Sequence, residues 1–355
     1  MKALVLAGGK GTRLRPFTHS MPKQLIPVGN KPVLVHCLEN IRDIGVTEAG
    51  VIVGDGHEQI RALVGDGAAL GLSVTYLVQE APLGLAHAVL TAREYLGGDD
   101  FVMYLGDNVL AGGIAEAAAE FRARRPDARL LLAKVADPRQ YGVAELGPDG
   151  RVLSLAEKPE RPRSDLAITG VYFFTPAVHA AVDRIRPSAR GELEITDAVR
   201  DLLDRGHPVT AGEYRGYWRD TGSVDELLDC NRAVLDGVRP GLHGQVDAHS
   251  RIVGPVVVEP DARIVRSHIT GPAVIGAAAL VTDSRVGAYS AIGRGCTLTM
   301  AGIADSIVLD GASISEMSGL TRSLIGRGAT VAGGAGGHSS RLLVGDDAGV
   351  EVTAS

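Results

Sequence analysis

Residues 2–16 read KALVLAGGKGTRLRP: an apolar run from Lys2 to Ala7 that ends abruptly at Gly8, Gly9 and, one residue later, Gly11. A short apolar run bounded by glycines predicts a buried strand of a parallel sheet. A glycine-rich turn at the carboxyl end of such a strand is where an open α/β sheet receives phosphates, because backbone amides can approach an anion where no Cβ intervenes. The spacing is not that of a Walker P-loop, which needs a Lys-Ser/Thr pair after a longer gap, and the third glycine of the dinucleotide fingerprint is missing. Readings as a kinase-type ATPase or an NAD dehydrogenase are thereby weakened.

Working outward, the chain up to about Asp236 alternates short β-branched runs with helical patterns. Strands are predicted at KALVLA, AGVIVG, SVTYLVQ and DFVMYLGD; between them PVLVHCLENIRDIG and LAHAVLTAREYL carry apolar residues at intervals of three and four, as amphipathic helices do. RVLSLAEKP, ITGVYFFTP and ITDAVRDLLDRG continue the alternation, so the first domain is α/β, with a mostly parallel mixed sheet. The turn-rich segment DGVRPGLHGQVDAHS marks a boundary. Beyond it, from Arg251 to about Ala332, units such as RIVGPV, ARIVRS, HITGPA, VIGAAA, AIGRGC and SLIGRG place an aliphatic residue about every sixth position. This six-residue rhythm predicts a left-handed parallel β-helix, each unit forming one face of a triangular coil. We therefore expect a domain over 1–237 and a β-helix over 250–345 that ends in a loose carboxyl-terminal tail.

The chain has 355 residues, a net charge of -6 and 45% hydrophobic residues, which is ordinary globular composition. An acidic balance argues against a nucleic-acid partner, whose affinity is supplied mostly by a basic face. No apolar run is long enough to span a bilayer, and the amino terminus turns to glycine too early for a signal peptide, so a cytoplasmic protein without a membrane partner is expected. Cys37, Cys230 and Cys296 lack metal or redox spacing and are expected to be reduced thiols.

The run LAGGKGTRLRP followed by PKQLIPVGNKP resembles the signature of the sugar nucleotidylyltransferases, and specifically of the glucose-1-phosphate thymidylyltransferases. Matches continue in family order through QEAPLGLAHAV, YLGDN, YGVAEL, EKP, ITGVYFF, GELEITD and GYWRDTG, covering essentially the whole first domain. The repeat segment is similar to the β-helix of the longer members of that family. The resemblance implies a Rossmann-like nucleotidyltransferase domain that takes dTTP and glucose 1-phosphate and uses Mg2+.

Carried over residue by residue, the resemblance assigns Leu6, Gly8, Gly9, Gly11, Thr12, Arg13, Gln79, Pro82, Gly84 and Asp107 to the nucleotide. Arg13 and Lys23 would be the cations at the reacting phosphate, where fixed positive charge stabilises what develops on the α-phosphate and the leaving pyrophosphate. Gln79 would read the base edge, since an amide can donate to one base atom and accept from its neighbour. Asp107 and Asp220 would hold the magnesium, two carboxylates sharing a hard cation whose other ligands are phosphate and water. Tyr141, Gly142, Glu157, Lys158, Thr169, Gly170 and Trp218 would bind the sugar phosphate, with Lys158 neutralising the attacking phosphate. Arg13, Lys23, Asp107 and Lys158 form the expected catalytic set.

Two further readings stay open from sequence. Uridylyl or guanylyl transfer to another sugar 1-phosphate differs from the first reading by contacts too small to see in a sequence. An added acyltransferase in the β-helix would need a base, for which His268 and His338 are the candidates. Retention of Arg13, Lys23, Asp107, Lys158 and Asp220 argues against a catalytically dead relative. A homo-oligomer is expected, because a stacked solenoid exposes an end that a neighbour can cap.

Overall fold

The computed structural model describes residues 1–9, 11–54, 57–333 and 339–353. The chain divides into two compact units, the first made of Met1–Gly9 and Leu34–Asp220, the second of Lys10–Val33 and Thr221–Ser355. Among the described residues no helix is long and apolar enough to cross a membrane.

The first unit is built on a nine-stranded mixed sheet. Its strands are β1 (Lys2–Leu6), β2 (Glu48–Val53), β3 (Ser73–Val78), β4 (Phe101–Leu105), β6 (Ala128–Lys134), β7 (Gly142–Leu146), β8 (Val152–Glu157), β9 (Leu166–Phe174) and β10 (Val209–Glu213). A separate two-stranded ladder pairs β5 (Asn108–Leu110) with β11 (Trp218–Asp220). The order across the sheet is β8-β7-β9-β4-β1-β2-β3, with β6 along the amino-terminal and carboxyl-terminal stretches of β9 and β10 outside it. β3, β2, β1 and β4 run parallel, as their near-continuous apolar sequences predict. β9 is antiparallel to β4, β6 and β7, so the antiparallel share is larger than the sequence suggests. A nine-residue strand that is buried almost throughout reads the same in either direction, and periodicity carries no sign of orientation.

Helices α1 (Val33–Asp43), α2 (His57–Val64), α3 (Leu85–Thr91), α4 (Arg93–Leu96), α5 (Ala115–Arg124), α6 (Ala177–Arg184) and α7 (Ile195–Asp204) supply the crossovers and cover the sheet. The stretch LAHAVLTAREYL, predicted as one helix, breaks into α3 and α4 at Ala92, which leaves helical geometry at φ -88, ψ 0. Leu4, Met103, Leu130, Phe174 and Val199 lie fully buried in the core between these layers. Each such side chain contributes about 1.5–3 kcal/mol by leaving water.

The second unit carries helix α8 (Val224–Asp236) and the repeat segment. There, three parallel sheets stack coil upon coil, each coil about seventeen residues on from the last, so that Arg251 pairs with His268 and His268 with Arg285. Ile269, Val286, Ile303 and Leu320 form one buried inner column, and Ile264, Val281, Leu298, Ile314 and Val331 another. This is the three-faced coil that the six-residue rhythm predicts for a left-handed β-helix. Serine hydroxyls satisfy backbone donors along the coil corners: Ser284 N–H donates to Ser267 Oγ, and Ala301 N–H to Ser284 Oγ, each at 3.0 Å.

Residues 11–33 pack within this same unit. Gly29 N–H donates to Asn231 Oδ1 at 2.8 Å, and Asn231 Nδ2 donates to the Tyr289 carbonyl at 2.9 Å. Asn30 Nδ2 donates to the Ile292 carbonyl at 2.6 Å, and Ser20 Oγ to Asp346 Oδ2 at 2.7 Å. Ser20, Gly29 and Asn30, which follow the glycine-rich signature, are therefore tied to α8 and to coils far downstream.

Candidate active site

In the first unit the predicted nucleotide residues stand at the carboxyl ends of neighbouring parallel strands, the place where an open α/β sheet binds ligands. Leu6 ends β1 and leads to Gly8; Gln79 follows β3; Gly106 and Asp107 follow β4. The strand ends are knitted by Ala7 N–H to the Ile52 carbonyl, Gln79 N–H to the Val53 carbonyl and Gly106 N–H to the Leu6 carbonyl, all at 2.8–2.9 Å. A Cβ at Gly8 would stand 3.7 Å from Gly54 N and 3.9 Å from Gln79 Oε1, so the Gly8 backbone lies beside the glutamine carbonyl. Gly9 is exposed, as is Pro82 in the loop after β3.

Gly84 has φ +106, and a Cβ there would overlap the Leu193 carbonyl oxygen. That crossing is fastened by Leu193 N–H to the Leu83 carbonyl at 2.8 Å and Ala86 N–H to the Leu193 carbonyl at 3.0 Å. Gly84 thus permits a close approach of two backbones, and the loop after β3 is clipped to the GELEITD segment.

The pairing of β5 with β11 sets Asp220 opposite Asn108, the residue after Asp107. Asn108 Nδ2 donates to Asp107 Oδ1 at 2.9 Å and its Oδ1 accepts from the Trp218 indole N–H at 2.8 Å. Tyr141 donates its hydroxyl to Asp220 Oδ1 at 3.2 Å and meets the Trp218 ring edge-on, centroids 5.3 Å apart. Asp107 and Asp220 are thereby both tied to Asn108, one by its side-chain amide and the other by the register of the short ladder. Among the described residues no group of three or more His, Cys, Asp or Glu could hold a metal. Two carboxylates suit Mg2+, which keeps several waters and takes phosphate oxygens for the rest of its octahedron. Trp218, predicted for the sugar wall, is only 8% exposed and its indole N–H is engaged by Asn108.

Of the other predicted sugar-phosphate residues, Gly142, Glu157 and Lys158 form a second group in this unit. Thr196 donates its hydroxyl to Glu157 Oε2 at 2.7 Å, and a Cβ on Gly142 would stand 3.0 Å from that hydroxyl oxygen. Lys158 Nζ lies 3.9 Å from Glu157 Oε1, and Arg190 Nη1 lies 3.5 Å from the same oxygen. Lys158 has φ +41, a left-handed conformation that is uncommon outside glycine, and its N–H is tied to the Tyr141 carbonyl at 3.0 Å. Gly170, at φ +76, lets Leu105 pack against the backbone where β9 shifts register. Thr169 is fully buried, and among the described residues its Oγ1 has no hydrogen-bond partner. Such an atom is expensive in a protein interior, and a side chain with no exposed surface offers none to a ligand.

Sequence reasoning did not single out Asn108, His87, Arg190, Glu194 or Thr196, although each lies within or beside a motif it quoted. Glu194 is 4% exposed and accepts from Ser188 Oγ at 2.9 Å; burial raises its carboxyl above the usual range, with the neighbouring Glu157 charge adding to the rise. Burial also pushes the Cys37 thiol well up, the Asp107 charge reinforcing it, so this cysteine is an inert thiol. All three cysteines are buried, and none forms a disulfide among the described residues.

In the second unit, Gly11 at φ +61 opens the short turn Thr12–Leu14, with Thr12 and Arg13 exposed and Leu14 buried. Thr18 Oγ1 donates to the Gly11 carbonyl at 2.7 Å, and a Cβ on Gly11 would stand 2.9 Å from Lys23 Cβ. Arg13 and Lys23 are therefore set by one compact local fold. On the β-helix, His268 is half-buried on an outer face between Arg251 and Arg285 and lines a groove of about 730 Å3. His338 lies outside the described residues. A larger cavity of the first unit, about 840 Å3 near Glu116 and Tyr214, contains none of the predicted site residues.

The sequence model of the nucleotidyl transferase family matches residues 2–237. The chain is 56% identical over 268 residues to a glucose-1-phosphate thymidylyltransferase of Streptomyces antibioticus, covering 75% of each chain. It is 55% identical over 267 residues to the corresponding protein of Streptomyces griseus, again covering 75% of each. A crystal structure of a Bacillus anthracis protein assigned as a glucose-1-phosphate thymidylyltransferase, solved with a sucrose, superposes with a TM-score of 0.63 at 35% identity, covering 68% of this chain and 97% of that one.

Proposed function

The chain belongs to the nucleotidyl transferase family, and from that premise we propose that it transfers the thymidylyl group of dTTP to glucose 1-phosphate, releasing pyrophosphate and dTDP-glucose. The observation that carries the proposal is the convergence of Gly8, Gln79 and Asp107 on the carboxyl ends of parallel strands, with Asp220 set opposite Asn108. A sugar-phosphate oxygen attacks the α-phosphorus of the triphosphate in line, and the bond from that phosphorus to the bridging oxygen of pyrophosphate breaks. No covalent enzyme intermediate is needed, since the acceptor oxygen is itself the nucleophile.

Both substrates are anions, so the chain's task is to hold them together against repulsion. Backbone amides of the glycine turn and the side chains of Arg13 and Lys23 take the triphosphate, and Lys158 takes the sugar phosphate. Gln79 orients the base, while Glu157 and the backbone at Gly142 orient the hexose hydroxyls. Asp107 and Asp220 would hold Mg2+, whose charge offsets that of the departing pyrophosphate when bound.

An array of nucleoside triphosphates against sugar 1-phosphates, read as pyrophosphate release with and without Mg2+, tests this. The fastest release is expected with dTTP, glucose 1-phosphate and magnesium. Preference for GTP with mannose 1-phosphate would refute the base and sugar assignments.

A further inference from the structure

The amide of Gln79 is held one way round. Its Nε2 lies 2.8 Å from His87 Nδ1 and 3.4 Å from the Gly84 carbonyl oxygen. A carbonyl can only accept, so the edge facing Gly84 and His87 carries the NH2 group, and His87 Nδ1 accepts from it with the ring proton on Nε2. Reversing the amide would set its oxygen against the Gly84 carbonyl. His87 itself is fixed in the first turn of α3, whose start is fastened by Ala86 N–H to the Leu193 carbonyl; its own carbonyl accepts from Thr91 Oγ1 at 3.0 Å. Gln79 Oε1 is left on the side of Gly8, at the strand-end opening.

We propose that His87 is a specificity-determining positioning residue. By accepting the Gln79 amide proton it commits the glutamine carbonyl to the ligand, which selects a base whose ring N3 bears a hydrogen. Thymine and uracil present that N3–H; cytosine presents a bare N3 acceptor, which would face the Gln79 carbonyl without a hydrogen between them. A glutamine free to rotate would serve either base by turning its amide. The inference rests on the functional reading that Gln79 faces the base.

The test measures kcat/KM with glucose 1-phosphate for dTTP, dUTP and dCTP in the full chain and its variants. The wild type is expected to favour dTTP over dCTP by at least about a hundredfold, as sites built around an oriented hydrogen bond do. His87→Leu cannot accept, and the dTTP/dCTP ratio should fall at least about tenfold while the dTTP/dUTP ratio holds, because the methyl is not read by this pair. His87→Ala gives the same reading should the leucine variant fail to fold by circular dichroism. His87→Asn, whose Oδ1 stands where Nδ1 stood, should keep the discrimination. A merely structural role would lower kcat/KM for all three triphosphates together and leave the ratios unchanged, and that result would overturn the inference. Equal loss of discrimination in His87→Asn and His87→Leu would also overturn it. A wild type that does not turn over dTTP would refute the functional reading and this inference together, whereas discrimination that survives in His87→Leu would refute the inference alone.

Discussion

Replacing Trp218 by phenylalanine separates two roles for that residue, a wall for the sugar and a pillar for the carboxylate pair. The indole N–H donates at 2.8 Å to Asn108 Oδ1, and Asn108, itself 3% exposed, donates onward to Asp107 Oδ1. Phenylalanine keeps the aromatic packing against Tyr141 but leaves the Asn108 oxygen without a donor in a buried position, at about 1–3 kcal/mol. The missing second ring leaves a void worth roughly a further 1 kcal/mol. Guanidinium unfolding should therefore show a loss of about 2–4 kcal/mol with little change in slope. The kinetic consequence lies in the metal. Once Asn108 is no longer held, Asp107 loses its orienting donor, and the magnesium concentration for half-maximal pyrophosphate release should rise several-fold, with the Michaelis constant for the sugar phosphate nearly unchanged. A variant of normal stability and metal dependence with a strongly raised Michaelis constant for the sugar would refute the pillar reading.

Asp107→Asn and Asp220→Asn should each lower kcat by at least about tenfold while circular dichroism stays native; near-normal turnover would remove that residue from the site. Lys158→Gly should unfold at slightly higher denaturant, by about 0.5–1 kcal/mol, because glycine relieves a left-handed φ of +41, yet should raise the Michaelis constant for the sugar phosphate far more than that for dTTP. Gly84→Ala should destabilise by about 2–4 kcal/mol in the same unfolding assay, since its Cβ has no room beside the Leu193 backbone. Burial holds the Glu194 carboxyl above its ordinary range, so the fold binds that proton more tightly than the unfolded chain and loses stability as pH rises through the folded value. Glu194→Gln does not titrate, so its unfolding free energy relative to wild type should improve as pH rises above the ordinary carboxylate range.

The strands β1 to β4 and the repeat coils were legible because their signals are local: apolar runs ended by glycine, and an aliphatic residue every sixth position. The position of Asp107 after a strand was legible because only Gly106 separates it from such a run, while its metal role rests on the family resemblance. Asn108 and His87 could not. Each acts through a partner that only the tertiary fold supplies, Trp218 110 residues away for Asn108 and Gln79 across a turn for His87. The orientation of β9 was hidden for a related reason, since an apolar strand buried on both faces has no direction in its pattern. The union of residues 11–33 with the coils rests in part on the amides of Asn30 and Asn231, and asparagine in a sequence reads as a turn former rather than as a long-range tie.

That union has a consequence for how the chain matures. Gly29 and Asn30 leave the ribosome long before the groups that bind them, Asn231 being 202 residues later and Ile292 262 residues later. At 5–20 residues per second the second of these delays is roughly 13–50 s. Until Asn231 emerges the strands β1 to β4 can pair and collapse, but residues 11–33, with Arg13 and Lys23, lack the partners that α8 and the coils later supply. A nascent chain stalled before residue 224, where α8 begins, should therefore be cleaved by protease within 11–33, and release of the full chain should close that window.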